Sequence, residues 1–372
     1  MRSPRKAPGS SQIRRDALIH FPDNLLQALT HLYNASLASG YFPSCFKTAL
    51  VALIPKPHKD LTDPKSYRPI SLLEFLSKIF ERIINTQLRW YLEDHTLLSH
   101  KQFGFRSHHS TQDALNIITN YVHNNKDRRR KTVLVTKDVE RAFDTVWHAG
   151  LKYKLCTKFN FPPLIKILLC NFLDDRKLKL KFLHHVSGTI RMHAGVPQGS
   201  TLSPTIITLY TNDLPDPTHT DSLTILYADD CTHLARHDAL SGVVRRINDE
   251  LDTVSRWEHR WRIKTNATKT KVLFLNPRKR PPYDNIYLNS FDRLQAPLQI
   301  THSCTILGLT FDTDFRNNAS PCLLHSEGTR PLQCLTTTFE LGSEGGRRWA
   351  GTAKQGSKGQ GGAKRGKSEG SS

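Results

Sequence analysis

The apolar positions of this chain fall into alternating helical and extended patterns. Over residues 22–39, Leu25, Leu26, Ala28, Leu29, Leu32, Tyr33 and Leu37 recur at three- and four-residue intervals. This spacing predicts a helix, opened by Pro22 and closed near Gly40. Residues 72–92 repeat the pattern through Leu72, Leu76, Ile79, Phe80, Ile83, Ile84, Leu88 and Tyr91. Between them, Leu50 to Ile54 form an unbroken apolar run stopped by Pro55-Lys56-Pro57, which predicts a buried strand. A second β-prone run, Val133-Leu134-Val135-Thr136, leads to Asp138. Two more, Leu223 to Leu226 and Cys231 to Ala235, flank Tyr227-Ala228-Asp229-Asp230 and predict a hairpin. Ser203-Pro204 opens a helix carrying Ile206, Ile207, Leu209, Tyr210 and Leu214. Leu240, Val243, Val244, Ile247, Leu251 and Val254 predict another.

The chemistry gathers where these strands end. An isolated Asp-Asp pair is ordinarily a solvated turn. Asp138 changes that reading, because it also closes a β-prone run. Three carboxylates at the ends of neighbouring strands suit two hard divalent cations.

Three segments then carry a resemblance: KDVERAFDTVW from Lys137 to Trp147, AGVPQGSTLSP from Ala194 to Pro204, and YADD from Tyr227 to Asp230. They resemble, in order, the three palm motifs of reverse transcriptases. The wording is most similar to that of non-LTR, LINE-like retrotransposon polymerases of the jockey type. The likeness covers about residues 6–312. It begins at Lys6-Ala7-Pro8-Gly9 and ends in a hairpin at Ile306 to Asp312, which resembles the family's primer grip.

The resemblance implies a role for each matched residue. Asp138, Asp229 and Asp230 bind two Mg²⁺ ions, or Mn²⁺ in their place. Lys269, in the fourth palm motif, is the general acid for departing pyrophosphate. Lys56 and Arg68 clamp the triphosphate of the incoming nucleotide, a task that suits the arginine fork. Phe143 lies against the sugar and excludes a 2′-hydroxyl. Gln198 meets the nucleotide or the template strand, Gly199 meets the nucleotide, and Tyr227 packs near the primer end. Arg106, in Phe103-Gly104-Phe105-Arg106, touches template or primer phosphates, with a structural ion pair as the alternative. Gly104 serves a tight turn, Ser110 or Thr111 caps a helix through Tyr121, and Asp144 is a structural partner. Lys137 departs from the family, which has an apolar residue there. Its charge must find a partner or reach water.

Composition narrows the partners. Lys and Arg number 53 against 33 Asp and Glu, a net charge of +20, which suits a polyanion such as RNA or DNA. The seven cysteines form no Cys-x-x-Cys pair, so neither a zinc knuckle nor a disulfide framework is expected. No apolar run is as long as a membrane span.

The expected fold is α+β: a right-hand polymerase whose palm is an antiparallel sheet backed by helices. Fingers are expected over residues 1–130, and the palm with the remaining fingers segment over 131–312. A disordered Gly/Ser/Lys-rich tail is expected over 313–372, where the family has a thumb. The resemblance also implies truncation at both ends, and an intracellular ribonucleoprotein setting, nuclear or cytoplasmic. The expected activity is RNA-directed DNA synthesis from an RNA template, a DNA primer and deoxynucleotides. The rival readings are a catalytically defective remnant that only binds nucleic acid, and an accessory protein that uses the same fold.

Overall fold

Two β-sheets, each completed by strands far apart in sequence, set the architecture. The computed structural model describes residues 7–128, 130–275, 286–289 and 295–313. The expected tail from Thr313 onward therefore lies almost wholly outside the described residues.

The helices are α1 (Arg15–Leu18), α2 (Asp23–Ser39), α3 (Phe75–Asp94), α4 (Thr111–Asp127), α5 (His148–Thr157), α6 (Pro163–Leu173), α7 (Ser203–Thr211) and α8 (Leu240–Arg260). The fingers sheet contains β1 (Thr48–Pro55), β2 (Tyr67–Leu72), β4 (Lys177–Phe182), β5 (His185–Val186) and β6 (Ile190–Arg191). The palm sheet has the order β12-β9-β3-β8-β7, built from β3 (Lys131–Lys137), β7 (Ser222–Tyr227), β8 (Asp230–His237), β9 (Lys271–Leu275) and β12 (Gln299–Thr301). Two small hairpins complete the description: β10 (Tyr287–Asn289) with β11 (Gln295–Pro297), and β13 (Ser303–Ile306) with β14 (Leu309–Asp312). No described helix is long and apolar enough to cross a membrane.

The palm is antiparallel across β9, β3, β8 and β7, as expected, and β12 joins its edge in parallel with β9. Both faces of this sheet are covered. Val133 and Val135 pack with Val243, Ile247 and Leu251 of α8 on one side. Leu134, Leu234 and Leu273 pack with Ala114, Ile118 and Val122 of α4, and with Phe311 of the last hairpin, on the other. This two-face burial explains why β3 reads as a continuous apolar run rather than an alternating one.

Local signals hold with small shifts. Gly40, at φ +64°, ends α2. Ser110 caps α4 through a reciprocal box with Asp113, and the helix runs on to Asp127. Leu72 belongs to β2, so α3 starts only at Phe75. Lys154 of α5 is fully buried. It pairs with Asp213 and lies over the rings of Tyr210, Trp257 and Trp261, at 4.8, 4.9 and 3.9 Å from their centroids.

Candidate active site

Asp138 directly follows β3, Asp229 lies in the turn between β7 and β8, and Asp230 opens β8. Lys137 pairs with Cys231 across the β3–β8 ladder, so the three carboxylates share one end of the sheet. Tyr227 pairs with Asp230, leaving a two-residue loop of Ala228 and Asp229. Ala228 has a φ of +61°, a conformation that costs a residue with a Cβ about 1–2 kcal/mol.

The segment from Lys101 to Gly104 braces this turn. Phe103 N donates to Leu226 O at 2.8 Å, and Leu226 N to Lys101 O at 2.8 Å. The fully buried Gln102 accepts through Oε1 from Gly104 N at 2.8 Å and from Ala228 N at 3.2 Å. A Cβ on Gly104 would lie 2.1 Å from Ala228 N. Gly104 is therefore required for close approach to the hairpin; the positive φ of the neighbourhood falls on Phe105 instead.

The carboxylates feel one another. Loss of water raises the Asp229 carboxyl above its ordinary value, and the charge of Asp138 adds to this. Asp230 is pushed up to about 6, first by loss of water and then by Asp229 and Asp138. Lys269 answers part of this negative charge, with Nζ 3.0 Å from Asp138 Oδ2. The loop that carries it is stitched to the Asp138 backbone: Asn266 N donates to Asp138 O at 2.8 Å and Glu140 N to Lys264 O at 2.7 Å.

Among the described residues no three His, Cys, Asp or Glu side chains are drawn together closely enough to hold a metal ion as they stand. The chemistry of the set nevertheless fits one. It offers oxygen donors alone, its charges repel, and an ammonium already occupies one of its oxygens.

Lys137 finds its partner inside the protein. Nζ lies 2.7 Å from Glu258 Oε1, and the lysine side chain has no exposure. Thr265 Oγ1 donates to the same Glu258 oxygen at 2.7 Å. Beside this pair the His233 ring is hydrogen-bonded to Thr224 and Cys231, and burial drives its pKa down to about 3.

The Gly195-to-Gly199 loop is packed between β2 and the segment from Phe143 to Val146. Gly195, at φ +86°, lies against Asp144 O, and Gly199, at φ +126°, lies against Ser71 O. Gln198 Nε2 donates to Asp144 Oδ1 at 2.8 Å, and burial raises the Asp144 carboxyl. Glu81 anchors the chain just beyond this loop. Wholly buried on α3, it accepts from Ser77 and Ser200 hydroxyls and from Thr201 N. A glutamate on the apolar stripe of residues 72–92 was the sequence signal for it. Glu258 shows the same signal on α8.

The remaining expected residues are spread around this centre. Phe143 is half-buried against the large core and receives a bond at its carbonyl from Val196 N. Arg68 is exposed on β2, with no partner among the described residues. Lys56 donates to Lys65 O at 2.8 Å. Tyr227 is half-buried beside the turn.

Arg106 is a correction. It forks onto Glu93, with Nη2 to Oε2 at 2.7 Å, and donates to Ser99 O and Gln102 O. Its side chain is 8% exposed. Four of its five N–H donors are taken up within the fold, as the ion-pair alternative expects.

Comparison with known proteins shows the family. Residues 54–311 match the family described as reverse transcriptase (RNA-dependent DNA polymerase). The chain is 34% identical over 281 residues to the RNA-directed DNA polymerase from mobile element jockey of Drosophila melanogaster, covering 73% of this chain and 30% of that protein. It is 33% identical over 315 residues to the probable RNA-directed DNA polymerase from transposon X-element of the same species, covering 82% and 33%. To the corresponding protein from transposon BS it is 35% identical over 272 residues, covering 72% and 30%. The chain thus spans about a third of the length of these relatives. A solved telomerase from Candida albicans aligns with a TM-score of 0.49 at 14% identity, over 81% of this chain and 51% of that one. With its motifs in order, its carboxylates on one sheet end and most of its length matched, this chain belongs to the reverse transcriptase family, alongside the polymerases of jockey-type non-LTR retrotransposons.

Proposed function

We propose that the chain is the fingers-and-palm part of an RNA-directed DNA polymerase that extends a primer 3′-hydroxyl with deoxynucleotides on an RNA template. The observation that carries this is the placement of Asp138, Asp229 and Asp230 at one end of the palm sheet, with Lys269 Nζ 3.0 Å from Asp138 Oδ2.

The family uses divalent metals. Asp138, Asp229 and Asp230 are the residues to hold two Mg²⁺ ions here, with Mn²⁺ as a substitute. Such ions, when bound, favour ionisation of the attacking hydroxyl and neutralise charge on the leaving pyrophosphate. Lys269 is 64% exposed, so its ammonium is free to leave Asp138 and donate a proton to the departing oxygen. Arg68, exposed and unpaired among the described residues, offers its fork to the triphosphate, and Lys56 adds a point charge beside it. Phe143 blocks a 2′-hydroxyl by volume. Gln198 and Gly199 line the nucleotide's place, Gly199 by backbone approach and Gln198 after exchanging Asp144 for the nucleotide. Tyr227 supports the primer end.

The test is primer extension on an RNA template with Mg²⁺ and deoxynucleotides, comparing the chain with Asp229→Ala. Extension by the unaltered chain alone supports the reading. If neither extends while both bind RNA equally, the chain is a binding remnant.

A further inference from the structure

Arg176, the residue before β4, is a wholly buried cation with no anion in contact among the described residues. Its Nη1 donates to Phe172 O at 2.8 Å, while Nε and Nη2 meet no acceptor there. Its Cζ lies 4.3 Å from the Phe172 ring centroid and 5.9 Å from that of Phe42. A methionine would fill this aromatic pocket without the cost of burying a charge. A second lone charge shares the pocket. Glu81, next to Phe80 on α3, is also wholly buried and has no cation within ion-pair distance among the described residues. The Phe42 ring joins the two sides, 5.5 Å from Phe80 and 5.1 Å from Phe172. Burial lowers the Arg176 pKa to about 10, and Glu81 is the group that opposes this.

We propose that Arg176 is a positioning residue for the loop that meets the incoming nucleotide, its charge holding Glu81 in place across the aromatic core. Glu81 Oε2 accepts from Ser200 Oγ at 2.6 Å and from Thr201 N at 2.7 Å. Ser200 Oγ in turn accepts from Leu202 N at 3.1 Å and Ser203 N at 3.2 Å, which caps the start of α7. Gly199 is thus one residue from a carboxylate anchor. Arg176 also holds the chain ahead of the loop, where its carbonyl accepts from Met192 N at 2.9 Å. Hydrogen bonds to an ionised acceptor are about twice as strong as neutral ones. With a neutral residue at position 176, Glu81 is a buried anion alone. Such an anion takes up a proton or turns toward water. Either response weakens both bonds at Oε2 and lets the Gly199 backbone drift.

The proposal rests on the polymerase reading only for what the loop meets, so its first test needs neither metal nor nucleotide. Hydrogen exchange of the full chain is followed at the Thr201 amide, with the amides of Val133 to Val135 in β3 as the reference. Arg176→Met is expected to exchange about tenfold faster at Thr201, with the reference amides within about twofold. Adding Glu81→Gln, whose side-chain oxygen still accepts, leaves no lone charge and is expected to bring Thr201 back to within about threefold of the unaltered chain. Arg176→Lys keeps the charge and is expected to stay within about the same range. If Arg176→Met does not fold, the double variant is still expected to fold and to protect Thr201, and its failure overturns the proposal. So does an acceleration shared by β3, none at Thr201, or a double variant as fast as the single one. In primer extension, Arg176→Met is expected to raise the deoxynucleotide KM about tenfold with kcat within about twofold. A fall in kcat alone overturns the nucleotide role. Absence of extension by the unaltered chain bears only on the polymerase reading.

Discussion

Lys137 and Glu258 form a buried ion pair, 2.7 Å between Nζ and Oε1, that ties the residue before Asp138 to the last turn of α8. Two charges removed from water cost as much as they return, but a single one left behind costs far more. Lys137→Met is expected to destabilise the fold by about 3–5 kcal/mol. The double variant Lys137→Met with Glu258→Leu is expected to recover most of that. Urea unfolding of both decides it, and an equal loss in both would show that the pairing itself contributes nothing.

The carboxylate end of the palm is costly to the fold. Asp230, at about 6 in the folded chain against 3.8 ordinarily, holds its proton more tightly folded than unfolded. Stability is therefore greatest with the carboxyl protonated and falls as pH rises from about 4 through 6. Asp230→Asn is expected to raise the melting temperature at pH 8 and leave it unchanged below pH 4. The residue keeps exposed surface despite the partial loss of water at its carboxyl, so screening cuts the gain to about 1 kcal/mol. Thermal melts at the two pH values measure it, and a gain at low pH would contradict the linkage.

Arg106 belongs to the fold. Arg106→Ala leaves Glu93 and two carbonyls without their donor, an expected loss of about 3 kcal/mol. RNA affinity of the folded variant is expected to stay within about twofold, since the group that is lost faces Glu93 rather than solvent. A fall in the salt slope would restore the phosphate-contact reading.

Gly104 is expected to tolerate no side chain. A Cβ 2.1 Å from Ala228 N must push the Asp229-Asp230 turn away from its place. A shift of about 1 Å in reacting groups costs about a hundredfold in rate. Gly104→Ala should therefore lose extension to about that extent while keeping RNA affinity. Extension rates beside binding curves separate the two effects.

Much of this architecture was legible in the chain because its causes are local. The 3.6-residue spacing of Leu25 to Leu37 makes α2 wherever it is placed, and Ser110 with Asp113 builds its cap from four residues. The runs before Asp138 and around Asp229 announce strands, and the order of the motifs announces the family.

Contacts across the fold were not legible, because nothing near one partner encodes the other. Asp138 and Lys269 lie 131 positions apart, and only the docking of the Asn266 loop on the Asp138 backbone brings them to 3.0 Å. The same holds for Arg106, whose family-like setting suggested phosphate until Glu93 of α3 was seen to fill its fork. Lys137 read as a misfit on a buried strand, and became a paired charge once α8 packed over β3.

The sequence by itself determined the elements, the carboxylates at the strand ends and the family, since periodicity, turns and motif order are properties of neighbouring residues. Only the tertiary structure decided which charges are spent on holding the fold and which stay exposed. Burial and partners set that choice, and both arise when the helices and sheets pack.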